Sequence, residues 1–243
     1  MVQVSDLHHS EVGDLKKVVS FTREPLYGKF SLVLLGVILI SLLPHYSKIV
    51  DSAGEVSTGF IIHGVLYLGW YVLFCIQSNL ASSGNKKLHK TLGYSSILFF
   101  ILLMISGVEM LIGVMGSNDP YKLSLVWGIF HTIIFFSVFY LLGILGRGNI
   151  HAHKRFMLLA SLSMISASVT RVAYSPIVPI DGAAVTLLST YGLLLVPVII
   201  DRMKFGGVHP VLKWSIPVYI VTQIIFIAIM PTTTLGKMLA FPF

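Results

Sequence analysis

Four histidines, His63, His89, His131 and His153, stand in or at the mouths of long apolar segments. Imidazole is expensive to place in hydrocarbon unless it binds a metal, a cofactor or a polar partner. Neutral ring nitrogens are good iron ligands, and two imidazoles from facing helices can hold a b-type haem from its two sides. The same nitrogens also suit zinc, copper or non-haem iron. Two charged residues, Glu109 and Arg171, lie inside apolar segments as well. They are expected to pair, because an isolated charge in lipid is costly. Glu109 is a candidate proton acceptor, and Arg171 a candidate contact for a haem propionate or a substrate. A single intramembrane histidine more commonly hydrogen-bonds a neighbouring helix. What singles these four out is their alternation from segment to segment.

The segments that position them follow from hydropathy. Of 243 residues, 55% are apolar and 11% charged, where a soluble domain carries about 25% charged residues. The mean hydropathy is +0.86. Apolar runs fall at about 30–46, 56–80, 91–115, 122–146, 155–175, 183–201 and 211–231. Each approaches the roughly 20 residues needed to cross hydrocarbon about 30 Å thick. Only helices that close their own backbone hydrogen bonds suit such runs. The expected fold is an all-α polytopic bundle of seven transmembrane helices. It would carry a tail at 1–29, a helical domain at 30–231 and a short second tail at 232–243. The N-terminal stretch lacks an early apolar core with a small-residue cleavage site, so no cleaved signal peptide is expected. The single cysteine, Cys75, excludes an internal disulfide.

A net charge of +7 would suit nucleic acid, but the cations cluster in short loops between apolar runs. Lys16, Lys17, Arg23 and Lys29 precede the first run. Lys86, Lys87 and Lys90 lie between the second and third, Arg147, Lys154 and Arg155 between the fourth and fifth, and Arg202, Lys204 and Lys213 between the sixth and seventh. That is an orientation signal, and nucleic acid is excluded as a partner. It predicts the N-terminus inside and the C-terminus outside, with the lipid bilayer of a bacterial inner membrane as the surroundings.

Position along a segment converts to depth at about 1.5 Å per residue. His63 on the second segment and His131 on the fourth then lie roughly 10 and 13 Å from their outer ends. His89 opens the third segment and His153 the fifth, both at the inner face, where His151 and His209 also lie. His63, Tyr67, Trp70, Phe74 and Gln77 recur at three- and four-residue steps, one stripe expected to face the bundle interior. Trp70 and Gln77 are therefore candidate cofactor contacts. Ser161, Ser168 and Arg171 repeat the idea on the fifth segment.

In the placing of these histidines, with Lys86-Lys87 ahead of the third-segment one, residues 56–175 resemble the cytochrome b561 superfamily of transmembrane electron carriers. The resemblance implies one haem between His63 and His131 and a second between His89 and His153. It also implies electron transfer across the membrane. The stretches His89-Lys90-x-x-Gly93 and His153-Lys154-Arg155-x-Met157 are similar, in addition, to uncharacterised bacterial polytopic membrane proteins. The chain departs from those cytochromes in having seven segments rather than six, and in holding His89 and His153 at the bilayer edge.

The leading expectation is one outer-half site on His63 and His131, holding a b-type haem in an electron carrier or membrane oxidoreductase acting on a quinone or another small molecule. At a basic interface, His89 and His153 have an ordinary solvated explanation. With His151 and His209 they instead form a candidate metal set. Two other classes stay open. One is a non-haem metal enzyme or assembly factor. The other is a ligand-binding sensor or small transporter lined by His63, Trp70, Gln77, Glu109, His131 and Arg171.

Overall fold

The computed structural model describes residues 25–51, 57–115, 122–174 and 181–241, with side chains from 25 to 43 in the first of these stretches. The expected N-terminal tail, up to residue 24, lies outside the described residues. Among the described residues all regular structure is helical. The helices are α1 (Pro25–Asp51), α2 (Thr58–Ser83), α3 (Lys86–Gly93), α4 (Ser95–Met115), α5 (Leu123–Leu145), α6 (Ile150–Ala173), α7 (Gly182–Phe205), α8 (Pro210–Ile224) and α9 (Thr234–Ala240). Short α3 runs into α4 as one span, and a π-helical turn with a 3-10 turn extends α8 to Thr232. Seven spans are thus long and apolar enough to cross a membrane, and the chain is an integral membrane protein.

Helices begin earlier than the apolar runs wherever a polar cap supplies the first turn. Asn85 caps α3 by accepting from Leu88 N–H at 3.2 Å. Asn149 caps α6 by accepting from His151 and Ala152 N–H at 3.0 and 3.2 Å. Asp181 caps α7 in the same way through Ala183 N–H, and His209 caps α8 ahead of Pro210. Side-chain oxygens and nitrogens of this kind satisfy helix N–H groups that have no partner of their own. Hydropathy cannot register them, so α6 starts at Ile150 where the apolar run starts near 155. The α2–α3 turn needs only two residues. Gly84 ends α2 in a left-handed conformation (φ 81°), and Asn85 N–H bonds back to Leu80 O at 3.0 Å.

The bundle is organised around α6. Its apolar window is 61% buried, against 17–44% in the other six spans, which makes it the central staff. Ser161, Ser163 and Ser168 on it are wholly buried. Their small size lets aromatic hydroxyls of neighbouring helices reach the α6 backbone. Tyr67 donates to Met164 O (3.0 Å), Tyr71 to Ser161 O (2.7 Å) and Tyr219 to Ser163 O (3.2 Å), while Trp70 Nε1 donates to Ser161 Oγ (3.1 Å). Tyr67, Trp70 and Phe74 are buried, so this part of the stripe on α2 does face the interior.

At the end opposite the basic turns, α9 folds back onto α5. Trp127 Nε1 donates to Gly236 O at 3.3 Å, and Ala240 is wholly buried beside Trp127. Gly236 admits no side chain, because a Cβ there would stand 1.9 Å from Met230 O.

Candidate functional site at the basic end

His89 and His153 meet. Their ring centroids are 6.3 Å apart, with the planes crossed at 83°. Each reaches this position by folding back onto the helix that precedes it. His89 Nδ1 bonds to Gln77 O (3.2 Å) on α2, and His153 Nδ1 bonds to Gly143 O (2.7 Å) on α5. A carbonyl only accepts, so Nδ1 carries the hydrogen in both rings and Nε2 presents its lone pair. Metal-binding histidines are commonly held this way, with one nitrogen pinned by a backbone oxygen and the other left to ligate. Gly143 lies near the end of α5, where helix carbonyls lack intrahelical partners. Its missing side chain also lets α6 approach: a Cβ there would meet Met157 Sδ at 2.9 Å. Gly143→Ala is expected to be tolerated, because Met157 can bend away. Gly143→Leu should prise α5 from α6 and lower stability by about 1–3 kcal/mol, read by thermal denaturation in detergent.

The two hairpins that deliver these rings share the string Gly-Asn-x-x-x-His-Lys, at 84–90 and again at 148–154. In both, the Asn caps the following helix, and its carbonyl accepts from the N–H of the histidine four residues on, at 3.0 and 2.9 Å. This repeat is the sequence signal for the pair. Hydropathy and charge pass over it, because it lies in the turns.

A second cluster stands next to it. Asp201 on α7 is wholly buried and Arg155 on α6 is 1% exposed. Arg155 Nε donates to Asp201 Oδ2 at 2.8 Å, and Arg155 Nη2 donates to Oδ1. Asp201 also accepts from Tyr27 Oη (2.9 Å) on α1 and from His209 N–H (3.0 Å), and Arg155 Nη1 donates to His151 O at 2.7 Å. One carboxylate thereby joins α1, α6, α7 and the turn into α8. By hydropathy Asp201 is only the last residue of the sixth apolar run, next to Arg202 and Lys204. Its signal is that it is an acid among cations at a helix end.

His209 Nδ1 accepts from Val211 N–H at 3.2 Å, completing the α8 cap. Burial, aided by the Arg155 charge and opposed by Asp201, holds this imidazole below its usual pKa of 6.5. A histidine depressed on folding binds protons more readily when unfolded, so its contribution is complete above pH 6.5 and declines as pH falls below it. The thermal midpoint should drop on acidification through that range, and His209→Asn, which caps without titrating, should flatten the dependence.

The structure does not bring His63 and His131 together through any bond or ring contact. His63 Nδ1 pairs with Ser106 Oγ at 3.0 Å. That hydroxyl already donates to Leu103 O, so the imidazole is the donor. His131 is 1% exposed, its Nε2 pairing with Thr222 Oγ1 at 3.1 Å and its ring lying among Phe135, Tyr219 and Phe226. Nor do Glu109 and Arg171 pair: the ion pair among the described residues is Arg155–Asp201. Each sits instead at a helix end of favourable polarity. Glu109 lies against the first turn of α2, where a Cβ on Gly59 would be 2.9 Å from its Oε1, and Ser57 provides no side-chain cap. Arg171 occupies the last turn of α6. A charge so placed contributes about 0.3–1 kcal/mol. Glu109→Gln should lower stability by that amount, measured by the same denaturation.

No family model, no curated protein and no solved structure matches this chain. Function rests on the site alone.

Among the described residues no three or more of His, Cys, Asp and Glu converge on a point. A structural zinc site takes four protein ligands and a catalytic one three. Two imidazoles suffice where the remaining ligands come with the metal, as the four nitrogens of a porphyrin do. The donor set at His89 and His153 therefore fits a haem better than it fits a bare zinc ion.

Proposed function

We propose that this protein is a membrane electron carrier that holds a b-type haem between His89 and His153. The observation that carries the reading is the pairing of two imidazoles from separate hairpins, 6.3 Å apart and each pinned through Nδ1. A haem at this place would be held by the Nε2 atoms of His89 and His153, the nitrogens that the two carbonyl bonds leave free. A bound haem supplies a reversible one-electron iron couple. The chain does the rest. Gln77 O and Gly143 O fix the tautomer and direction of both ligands, and the Asp201 junction holds the start of α6. The exposed Lys86, Lys87, Lys90 and Arg147 make this end of the bundle positive. By the charge of its turns, this end faces the cytoplasm.

The test is an absorption spectrum of protein purified from cells supplied with haem. A Soret band with the split visible bands of a six-coordinate low-spin haem, reversible on reduction, is expected. Colourless protein would refute the reading.

A further inference from the structure

Gln77 is unusual among the buried polar groups near this site. Both its amide nitrogen and its amide oxygen are shielded from solvent, and neither has a hydrogen-bond partner. A buried amide left unsatisfied is costly, and few are kept without an occupant to serve. Its place on α2 indicates the occupant. Gln77 follows Tyr67, Trp70 and Phe74 on the stripe that faces α6. Trp70 bonds Ser161 on antiparallel α6. Two turns further along α2, Gln77 is level with a position two turns earlier on α6 than Ser161, beside His153 and Arg155. The backbone of the same residue holds His89. Gln77 is thus tied to one histidine and level with the other.

We propose that Gln77 is a further binding residue of the His89–His153 site, its Nε2–H donating to a carboxylate of the bound group. The inference rests on the haem reading and extends it by assigning a contact to the carboxylate edge. It predicts effects of opposite sign. Removing an amide that has no partner relieves the protein without haem, whereas removing a donor used in binding weakens the loaded form.

The experiment compares wild type with Gln77→Met, a near-isosteric apolar variant, prepared without haem. Thermal stability of both is measured, and both are titrated with haem and with its dimethyl ester, which lacks free carboxylates. Gln77→Met should be at least as stable as wild type without haem. It should bind haem about 10-fold more weakly, the lower end of the range seen for residues that support metal ligands. It should bind the ester as wild type does. Equal haem affinity, or an equal loss with the ester, would overturn the assignment. Wild type that takes up neither compound would instead refute the haem reading. A haem-free variant less stable than wild type would show that the amide has a partner, and would overturn the Gln77 proposal alone.

Discussion

Asp201→Ala is expected to destabilise the folded protein by about 3–5 kcal/mol, the penalty for stranding one member of a buried ion pair. Arg155 is 1% exposed and has Asp201 as its carboxylate partner. Without that partner its charge is left in the interior, with only His151 O to accept from it. The same substitution removes the acceptor that Tyr27 Oη and His209 N–H share, so α1 and the turn into α8 lose these hydrogen bonds to α7. The effect should appear as a large fall in the denaturation midpoint of purified protein in detergent. The double variant Arg155→Met with Asp201→Leu should recover most of it, because an apolar pair of similar volume strands no charge. A midpoint unchanged by Asp201→Ala would mean that the carboxylate is not the joint described.

The second large effect concerns colour. On the proposed haem reading, His89→Ala and His153→Ala should each abolish the low-spin spectrum, leaving either no Soret band or an altered one. His63→Ala and His131→Ala should leave it in place, since each of those rings is engaged by a hydroxyl on a neighbouring helix. If His63→Ala or His131→Ala bleached the protein while the other two variants kept their colour, the site would lie at the opposite end. His131→Ala should still lower stability, by opening a cavity among Phe135, Tyr219 and Phe226.

The resemblance to cytochrome b561 rested on four histidine positions and gave the pairs equal standing. Depth along each segment favoured His63 with His131, but equal depth is only one of the conditions for contact. The rings must also point at each other. His63 faces α4 and His131 faces α8, so a shared level brings no meeting. Glu109 is a second case. Counted along its own helix it lies within the bilayer, yet it rests on the first turn of α2, near that helix's end.

Hydropathy and charge alone determined that seven helices cross a membrane and that the basic turns gather at one end. Both follow from local composition, because every backbone group in hydrocarbon must be paired within its own helix. The stripe on α2 was legible for the same reason, since helical periodicity places Tyr67, Trp70 and Phe74 on one face. The twice-repeated Gly-Asn-x-x-x-His-Lys was also there to be read, as local turn chemistry. Which imidazoles meet, and which carboxylate holds Arg155, was decided only by the tertiary structure. Asp201 lies 46 residues from Arg155 along the chain. No local preference specifies a contact at that separation. It depends on which way each helix is turned about its axis, and packing against α6 sets that rotation.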